Sequence, residues 1–596
     1  MKIRVADYIA KFLVEHDCNQ VFTVVGGGAM YLNDAFGNTE GLKCLYTHHE
    51  QAAALAAEGY ARLKGTAACV CVTTGPGGTN ALTGVLCAYQ DNIPMLVVSG
   101  QVRYATTVAS TGLNLRQFGE QEYHIVPTVK PMTKYAVMVE HPEDIRYHLE
   151  KAYSMANSGR RGPCWVDVPL DVQGAIVEAD ELQGYEESDE KRPIPNMNVV
   201  IQALKDAKRP VILAGSAIRT SGMLDKFRSL TKVWNVPVIT ATSIVDYFTR
   251  EYDNYYGMFG VFGSRSGNFL VQNADVIFSL GCRLSFKQIG FNYENFSPWS
   301  KKIVVDVDAN ELQKHTIDID IPVCADLEEF LNEEELNGRI FESVEPEWIE
   351  YAGMLKKQFP VYTDKYDVGE KVNPYTLANE IKKQSCENQI EVVGNSVACV
   401  CVLQSGIAKE GQRLFGNVNC GTMGYDIPAA VGACVASGES VLCITGDGSM
   451  QMNIQELQTI VHNQLPVKLI IFNNGGYQAI EQTQTNFFGR LSGCTEKSGI
   501  SMPIIEKIAN AYGFPYIRIE KNAEVRAGIM KLLSMEGFAI CELIQDKAQG
   551  IEPRTKSMEK EDGTLFSPPI DHLFPFLEEG EYQACQYETF KKGLHS

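Results

Sequence analysis

The chain has 596 residues, 45% hydrophobic and 21% charged, a soluble globular balance that excludes a disordered or collagen-like chain and leaves room for three or four domains. Its 53 Lys plus Arg against 73 Asp plus Glu give a net charge of −20. Nucleic acid and membrane are therefore excluded as main partners, and an anionic cofactor would need local backbone donors or a metal.

Val5, Tyr8, Ile9, Phe12 and Leu13 recur at helical spacing with charges between them. The chain is thus expected to open on an amphipathic helix and not on the unbroken apolar core of a signal peptide. No stretch approaches the ~18 apolar residues of a membrane span. The 17 cysteines are scattered without a CxxC pair, which reads as reduced thiols in the cytoplasm and not as a zinc site. A first block, 1–180, has an apolar strand over 67–74, a turn through Gly75-Pro76-Gly77-Gly78-Thr79-Asn80, a helix over 81–89, and strands over 95–99 and 164–168. Strand, glycine turn, helix, strand is the pattern of a parallel sheet with crossover helices, so the fold class is α/β. The acidic stretch 180–195 reads as a linker. A second block, 195–337, carries strands at 209–215, 237–240, 276–280 and 302–307, and 337–372 is a second linker with a helical stretch inside it. The third block, 373–550, repeats the first: strand 440–445, turn Gly446-Asp447-Gly448-Ser449, helix 453–463, strand 467–472. The tail, 551–596, mixes prolines, aromatics and charges and reads as an extended arm, with 553–576 expected to close over the site.

The segment 445–477 carries the most chemistry. In a parallel sheet, Asp447 and Asn474 stand at strand ends on one edge and can converge. One carboxylate plus one amide oxygen is a hard, oxygen-only pair suited to Mg²⁺, with the rest of the octahedron left for phosphate, water or a nearby carbonyl. Gly448 and Ser449 open the next helix, where free N–H groups meet a phosphate. A lone Gly-Asp-Gly is also what an ordinary capped turn looks like. The Asn-Asn pair 24 residues further on sets this one apart.

That spacing resembles the signature of thiamine diphosphate (ThDP) enzymes. The resemblance implies that Asp447 and Asn474, joined by the Gly476 carbonyl, hold the Mg²⁺ that clamps the cofactor's diphosphate. Thr47-His48-His49-Glu50-Gln51-Ala52-Ala53, Ala57-Glu58-Gly59-Tyr60-Ala61-Arg62, Thr74-Gly75-Pro76-Gly77-Gly78-Thr79-Asn80 and Gly100-Gln101-Val102 resemble acetolactate synthase (acetohydroxyacid synthase) large subunits. By that resemblance Glu50 hydrogen-bonds the aminopyrimidine ring and relays the proton that activates the thiazolium C2, a role suited to a carboxyl whose apolar pocket raises its pKa. Gly421-Thr422-Met423-Gly424-Tyr425 is similar to the family's segment beneath the cofactor, with Met423 as the apolar wedge. Asn395 and Ser396 fall where the family binds diphosphate, and Pro76, Asn80 and Gln121 near the reacting centre. Gln272-Asn273-Ala274-Asp275, Gly281-Cys282-Arg283 and Asp306-Val307-Asp308 resemble the family's FAD-binding central domain, with Arg283 for a phosphate and Asp306 for a ribose. The implied fold is three doubly wound domains (pyrimidine-binding, central, diphosphate-binding). The implied assembly is a homodimer or homotetramer with sites shared between chains.

The sequence departs from that family at three places. The tryptophan that shapes the second-substrate pocket is Thr483, the lysine of a Pro-Lys-Asp segment is Leu170, and the phenylalanine before Gln121 is Glu120. Losing an indole opens volume, and losing a lysine removes a carboxylate partner. The expected function is a ThDP- and Mg²⁺-dependent transferase or lyase that decarboxylates a 2-keto acid such as pyruvate. Its acyl unit would pass to a carbonyl acceptor larger or less anionic than a second pyruvate, such as a sugar derivative. The rival readings are a true acetolactate synthase, a simple decarboxylase or C–C lyase, and an inactive scaffold that retains the cofactor.

Overall fold

The computed structural model describes residues 1–187, 194–559 and 562–594, so residues 188–193 of the expected acidic linker lie outside the described residues. Three six-stranded sheets carry the molecule, and every strand pair within them is parallel. The first contains β1 (Gln20–Thr23), β2 (Lys43–Tyr46), β3 (Ala68–Val72), β4 (Met95–Gln101), β5 (Tyr135–Met138) and β6 (Pro163–Pro169), in the order β2-β1-β3-β4-β6-β5. β3, β4 and β6 are buried along their whole length, as expected of strands covered by helices on both faces. The expected opening helix is α1 (Val5–Glu15), whose Val5, Ile9, Phe12 and Leu13 face the core. α2 (Glu50–Lys64) and α3 (Pro76–Asp91) follow β2 and β3. α3 begins at Pro76 and not at the expected 81. Pro76 takes the first helical position, where a missing N–H costs nothing, and Gly75 turns the chain at φ +61.

The central sheet contains β7 (Pro210–Ala214), β8 (Val238–Thr240), β9 (Tyr255–Met258), β10 (Val276–Leu280), β11 (Lys301–Asp306) and β12 (Ile321–Cys324), in the order β9-β8-β7-β10-β11-β12. This is the dinucleotide-binding order, with its switch point between β7 and β10. The second linker contains α4 (Pro346–Gln358).

The third sheet contains β13 (Ile390–Val393), β14 (Arg413–Gly416), β15 (Val441–Gly446), β16 (Val467–Asn473), β17 (Tyr516–Ile519) and β18 (Ala539–Ile544). Its order, β14-β13-β15-β16-β18-β17, is the first sheet's order repeated. The helices that matter here are α5 (Val397–Gln404), α6 (Asp426–Ser437) and α7 (Gln478–Phe488). The expected helix over 453–463 is a 3₁₀ turn, Ser449–Asn453, followed by a short helix, Glu456–His462. Asn453 works laterally there, donating to the Gly424 carbonyl at 2.7 Å.

The outer domains meet where α2 packs on α6. The approach is close enough that a Cβ on Gly59 would stand 2.3 Å from the Ala429 carbonyl oxygen, and one on Gly432 would stand 1.8 Å from that of Ala56. Buried charge crosses the same seam. Tyr425 donates to Glu58 at 2.6 Å, Arg62 bridges Glu58 and Asp91, and Asn417 donates to Asp91 at 3.2 Å.

The tail is more structured than an arm, with α8 (Glu579–Ala584) and α9 (Tyr587–Leu594). Tyr587 packs edge-on against Trp348 and Tyr351 of α4. Arg265 donates to the Leu573 carbonyl at 3.1 Å, Asn268 to that of Ile570 at 2.6 Å, and Gln404 to that of Pro553 at 2.8 Å. Pro553, Ile570 and Leu573 are thereby held to the central domain and the adjoining end of α5.

Candidate active site

The site residues of the third domain follow from strand register. β15 and β16 pair with Gly446 opposite Phe472, so the next residues, Asp447 and Asn473-Asn474, leave the sheet side by side at the C-terminal strand ends. Asp447 is 1% exposed; its carboxylate accepts from the Gly448 amide at 2.9 Å and the Gly475 amide at 2.7 Å. Burial nevertheless pushes its pKa up to about 6, against the pull of those amides. Asn474 is also buried. Its Nδ2 donates to Gln545 at 3.2 Å and to Gln478 at 3.4 Å, and Gln545 in turn donates to Gln478 at 2.8 Å. With the amide nitrogen pinned on that side, Asn474 Oδ1 is a buried oxygen with no hydrogen-bond partner. A buried carboxylate beside an unsatisfied amide oxygen is the donor set of a hard divalent cation, so these residues fit Mg²⁺. Gly476 has φ +156, and a Cβ there would lie 2.1 Å from the Cys494 carbonyl, so only glycine keeps this stretch beside Asn474.

Around them the chain leaves room for a phosphate-bearing group. A Cβ on Gly448 would fall 2.4 Å from the Tyr477 ring. Ser449 is turned inward: its hydroxyl donates to buried Asp426 at 2.7 Å and accepts from the Gly424 amide at 2.9 Å. That ties the loop carrying Met423 to the turn after β15. Met423 is half-buried, and Gly421 holds φ +64 while its carbonyl accepts from Asn395 Nδ2 at 2.5 Å. Ser396 caps α5, accepting from the Cys399 amide at 3.2 Å, so in this structure its hydroxyl serves the helix.

In the first domain, Glu50 is the first residue of α2, half-exposed, and its Oε2 accepts from Asn80 Nδ2 at 3.0 Å. A Cβ on Gly77 would stand 3.5 Å from Glu50 Oε1. Pro76 and Asn80 are exposed at the start of α3, and Gln121 is exposed with φ +57. Glu50, Pro76, Asn80 and Gln121 thus share one edge of the first sheet, as Asp447, Asn474 and Gly476 share one edge of the third. No hydrogen bond or ion pair joins the two groups among the described residues. Exposed apolar side chains adjoin both in the chain: Phe118, three residues before Gln121, is 55% exposed, and Phe487 and Phe488 at the end of α7 are 60% and 67% exposed. Thr483 is exposed on α7 with its hydroxyl turned back to the Ala479 carbonyl at 2.9 Å, Glu120 is exposed, and Leu170 is half-buried after β6.

A second concavity lies at the switch point of the central sheet and is bounded by all three domains. Gly215 and Gly281 meet there, a Cβ on the first standing 1.8 Å from the carbonyl oxygen of the second. Arg283 and Asp306 both line it, which fits a dinucleotide. Arg283 also donates to the Gln90 carbonyl at 3.1 Å, and burial pushes Asp306 up to about 6. Two residues that sequence reasoning missed also line it: Arg160, paired with Asp308 at 2.6 Å and Glu311 at 2.8 Å, and half-buried Arg161.

Comparison with known proteins agrees with this geometry. Residues 3–122 match the model of the thiamine pyrophosphate enzyme N-terminal TPP binding domain, 197–333 that of the central domain, and 395–543 that of the C-terminal TPP binding domain. The acetolactate synthase large subunit of Buchnera aphidicola is 31% identical over 546 residues, covering 89% of this chain and 92% of that protein. The Escherichia coli isozyme 3 large subunit is 30% identical with the same coverage. A probable acetolactate synthase large subunit of Methanococcus aeolicus is 29% identical over 89% of this chain and 90% of its own length. No helix among the described residues is long and apolar enough to cross a membrane. With the three domain models in chain order and a relative 31% identical over most of both chains, the chain belongs to the thiamine pyrophosphate enzymes.

Proposed function

We propose that this chain is a ThDP- and Mg²⁺-dependent carboligase of the acetolactate synthase type. It decarboxylates a 2-keto acid, pyruvate as the first candidate, and passes the acyl unit to a carbonyl acceptor. The observation that carries the reading is the pair at the ends of β15 and β16: buried Asp447 beside an Asn474 oxygen left without a partner, in a chain similar to acetolactate synthases over most of its length. When bound, ThDP supplies an electron sink for decarboxylation. Asp447, Asn474 and the Gly476 carbonyl hold the metal, while the Gly446–Gly448 turn and Asn395 stand beside the diphosphate. Met423 packs against the cofactor, and Glu50, kept in place by Asn80, holds and moves a proton at the aminopyrimidine ring. Gln121 and Pro76 face the reacting centre.

The central cleft is assigned to FAD, with Arg283, Asp306 and Arg160 as its polar lining. Glu50 and Asp447 share no hydrogen bond within one chain, and large apolar side chains, Phe118, Phe487 and Phe488, stand exposed on the segments that follow them. That supports a homodimer as the smallest active unit, with Glu50 of one copy facing Asp447 of the other, and tetramers built from it. The unpaired thiols of the 17 cysteines support a cytoplasmic location.

The second reading, a true acetolactate synthase, is favoured by the names of the relatives. Thr483→Trp separates the two. In the carboligase with a larger acceptor, the indole fills the acceptor space, so acetolactate should rise relative to adducts of larger aldehydes and keto sugars by at least about tenfold, the low end of what one methylene in a pocket discriminates. An unchanged product ratio contradicts the assignment of Thr483 to the acceptor pocket. The shell behind the metal is tested separately by Gln545→Leu. It frees the Asn474 amide to rotate and should weaken Mg²⁺-dependent ThDP binding about 10- to 100-fold in calorimetric titration. Unaltered binding contradicts a pinned Asn474.

A further inference from the structure

We propose that Glu122 is a positioning residue for the acceptor side of the site, acting through its neighbour Gln121; this rests on the reading above that Gln121 faces the reacting centre. Residues 103–123 form a long connection after β4, with only short helical turns of its own. Its first limb packs Tyr104 and Ala109 against the core, but residues 112–118 are all exposed, so no core packing holds that stretch. Thr107, Gly119 and Glu122 are the buried residues of the loop, and Glu122, at 6% exposure, is the charged one among them. Its Oε1 accepts from the Val108 amide at 2.5 Å, and its Oε2 from the amides of Phe118 at 2.9 Å and Gly119 at 3.2 Å. One carboxylate thus gathers three main-chain donors from both limbs of the loop. Charge-assisted bonds of this kind are about twice as strong as neutral ones.

The gathered loop presents Gln121 in a conformation it would not choose alone. Gln121 has φ +57, a region that costs a side-chain-bearing residue free energy unless its surroundings impose it. Two contacts fix it there. Its carbonyl oxygen lies where a Cβ on Gly75 would be only 2.0 Å away, so the loop is pressed onto the turn that starts α3. On the other side, Gln101 at the end of β4 donates to the Tyr123 carbonyl at 2.9 Å and to Asp167 of β6 at 3.1 Å. The loop is anchored to the sheet at 123 and clamped on itself at 122, and Glu120 and Gln121 are the exposed residues left between the clamp and Gly119. Sequence position alone places Glu122 beside Gln121. Its capture of amides fourteen and four residues back is visible only in the fold.

The test is a double-mutant cycle with a second readout that does not depend on turnover. In the full-length protein without cofactor, Glu122→Gln should speed amide hydrogen exchange across 103–123 at least about tenfold, leaving the rest of the chain unaltered. Glu122→Asp, which keeps the charge, should restore part of that protection. With cofactor and metal, Glu122→Gln should lower kcat about tenfold and change nothing further when Gln121 is already Ala. Unchanged exchange in the loop overturns the proposal whatever reaction the enzyme performs, as do strictly additive kinetic effects. A Gln121→Ala variant with wild-type kinetics instead overturns the assignment of Gln121 and leaves the exchange result to speak for the clamp alone.

Discussion

Glu50→Gln should slow exchange of the ThDP C2 proton, and with it turnover, by about 10²- to 10⁴-fold, the range expected when a positioned proton-transfer group is removed. The substitution is isosteric, and Glu50 sits at the first position of α2 with Asn80 bonded to its Oε2. An amide in its place can still pack and still meet Asn80, but it cannot take or return a proton. ThDP affinity should therefore stay within a few-fold of wild type while the exchange rate, read by NMR after acid quench, collapses. Equal exchange rates in the two proteins would remove Glu50 from the chemistry and favour a chain that keeps the cofactor without using it.

Asp447→Ala should abolish metal-dependent retention of the cofactor, with a loss of more than about 100-fold in ThDP affinity at millimolar Mg²⁺. Asp447 is enclosed at the end of β15 with two backbone amides on its carboxylate and Asn474 beside it. Each carboxylate oxygen accepts one amide, which holds the group in one orientation with lone pairs still free, and Asn474 Oδ1 is buried without a partner. Removing the only carboxylate of the pair leaves an uncharged amide oxygen and a glycine carbonyl, too weak a set for a reluctantly dehydrated divalent ion. Calorimetric titration with and without Mg²⁺ reads this directly. The expected result is binding in the variant that no longer responds to the metal, and a full metal response would place the ion elsewhere.

How much of this was legible in the chain depended on whether a residue's role is local. The Gly446–Ser449 turn and Asn473-Asn474 end consecutive parallel strands, and the 24-residue spacing suffices to bring them to one edge. Gln545 could not be found that way: it reaches Asn474 because β18 lies beside β16, a neighbourhood set by sheet order and not by sequence distance. Gln478 carries no local signal of its own, and the fold gives it partners in that same amide cluster. Arg160 and Arg161 stand in a stretch whose only visible signal was the strand that follows. They matter because the end of the first domain abuts the central switch point. The start of α3 was misplaced because a Gly-Pro-Gly-Gly run reads as a turn, whereas Pro at the first helical position is compatible with a helix. The tail was misread because its prolines hid the apolar face of α9, which is satisfied by Trp348 and Tyr351 more than 200 residues upstream.

The carboligase assignment meets its most direct test in mass spectrometry of the products formed from uniformly ¹³C-labelled pyruvate by the purified protein with ThDP and Mg²⁺, alone and with a panel of aldehydes and keto sugars. The expected result is labelled carbon dioxide together with a labelled two-carbon unit joined to a carbonyl acceptor other than pyruvate, and loss of both when Mg²⁺ is chelated. Pyruvate left unconsumed across the whole panel would contradict it.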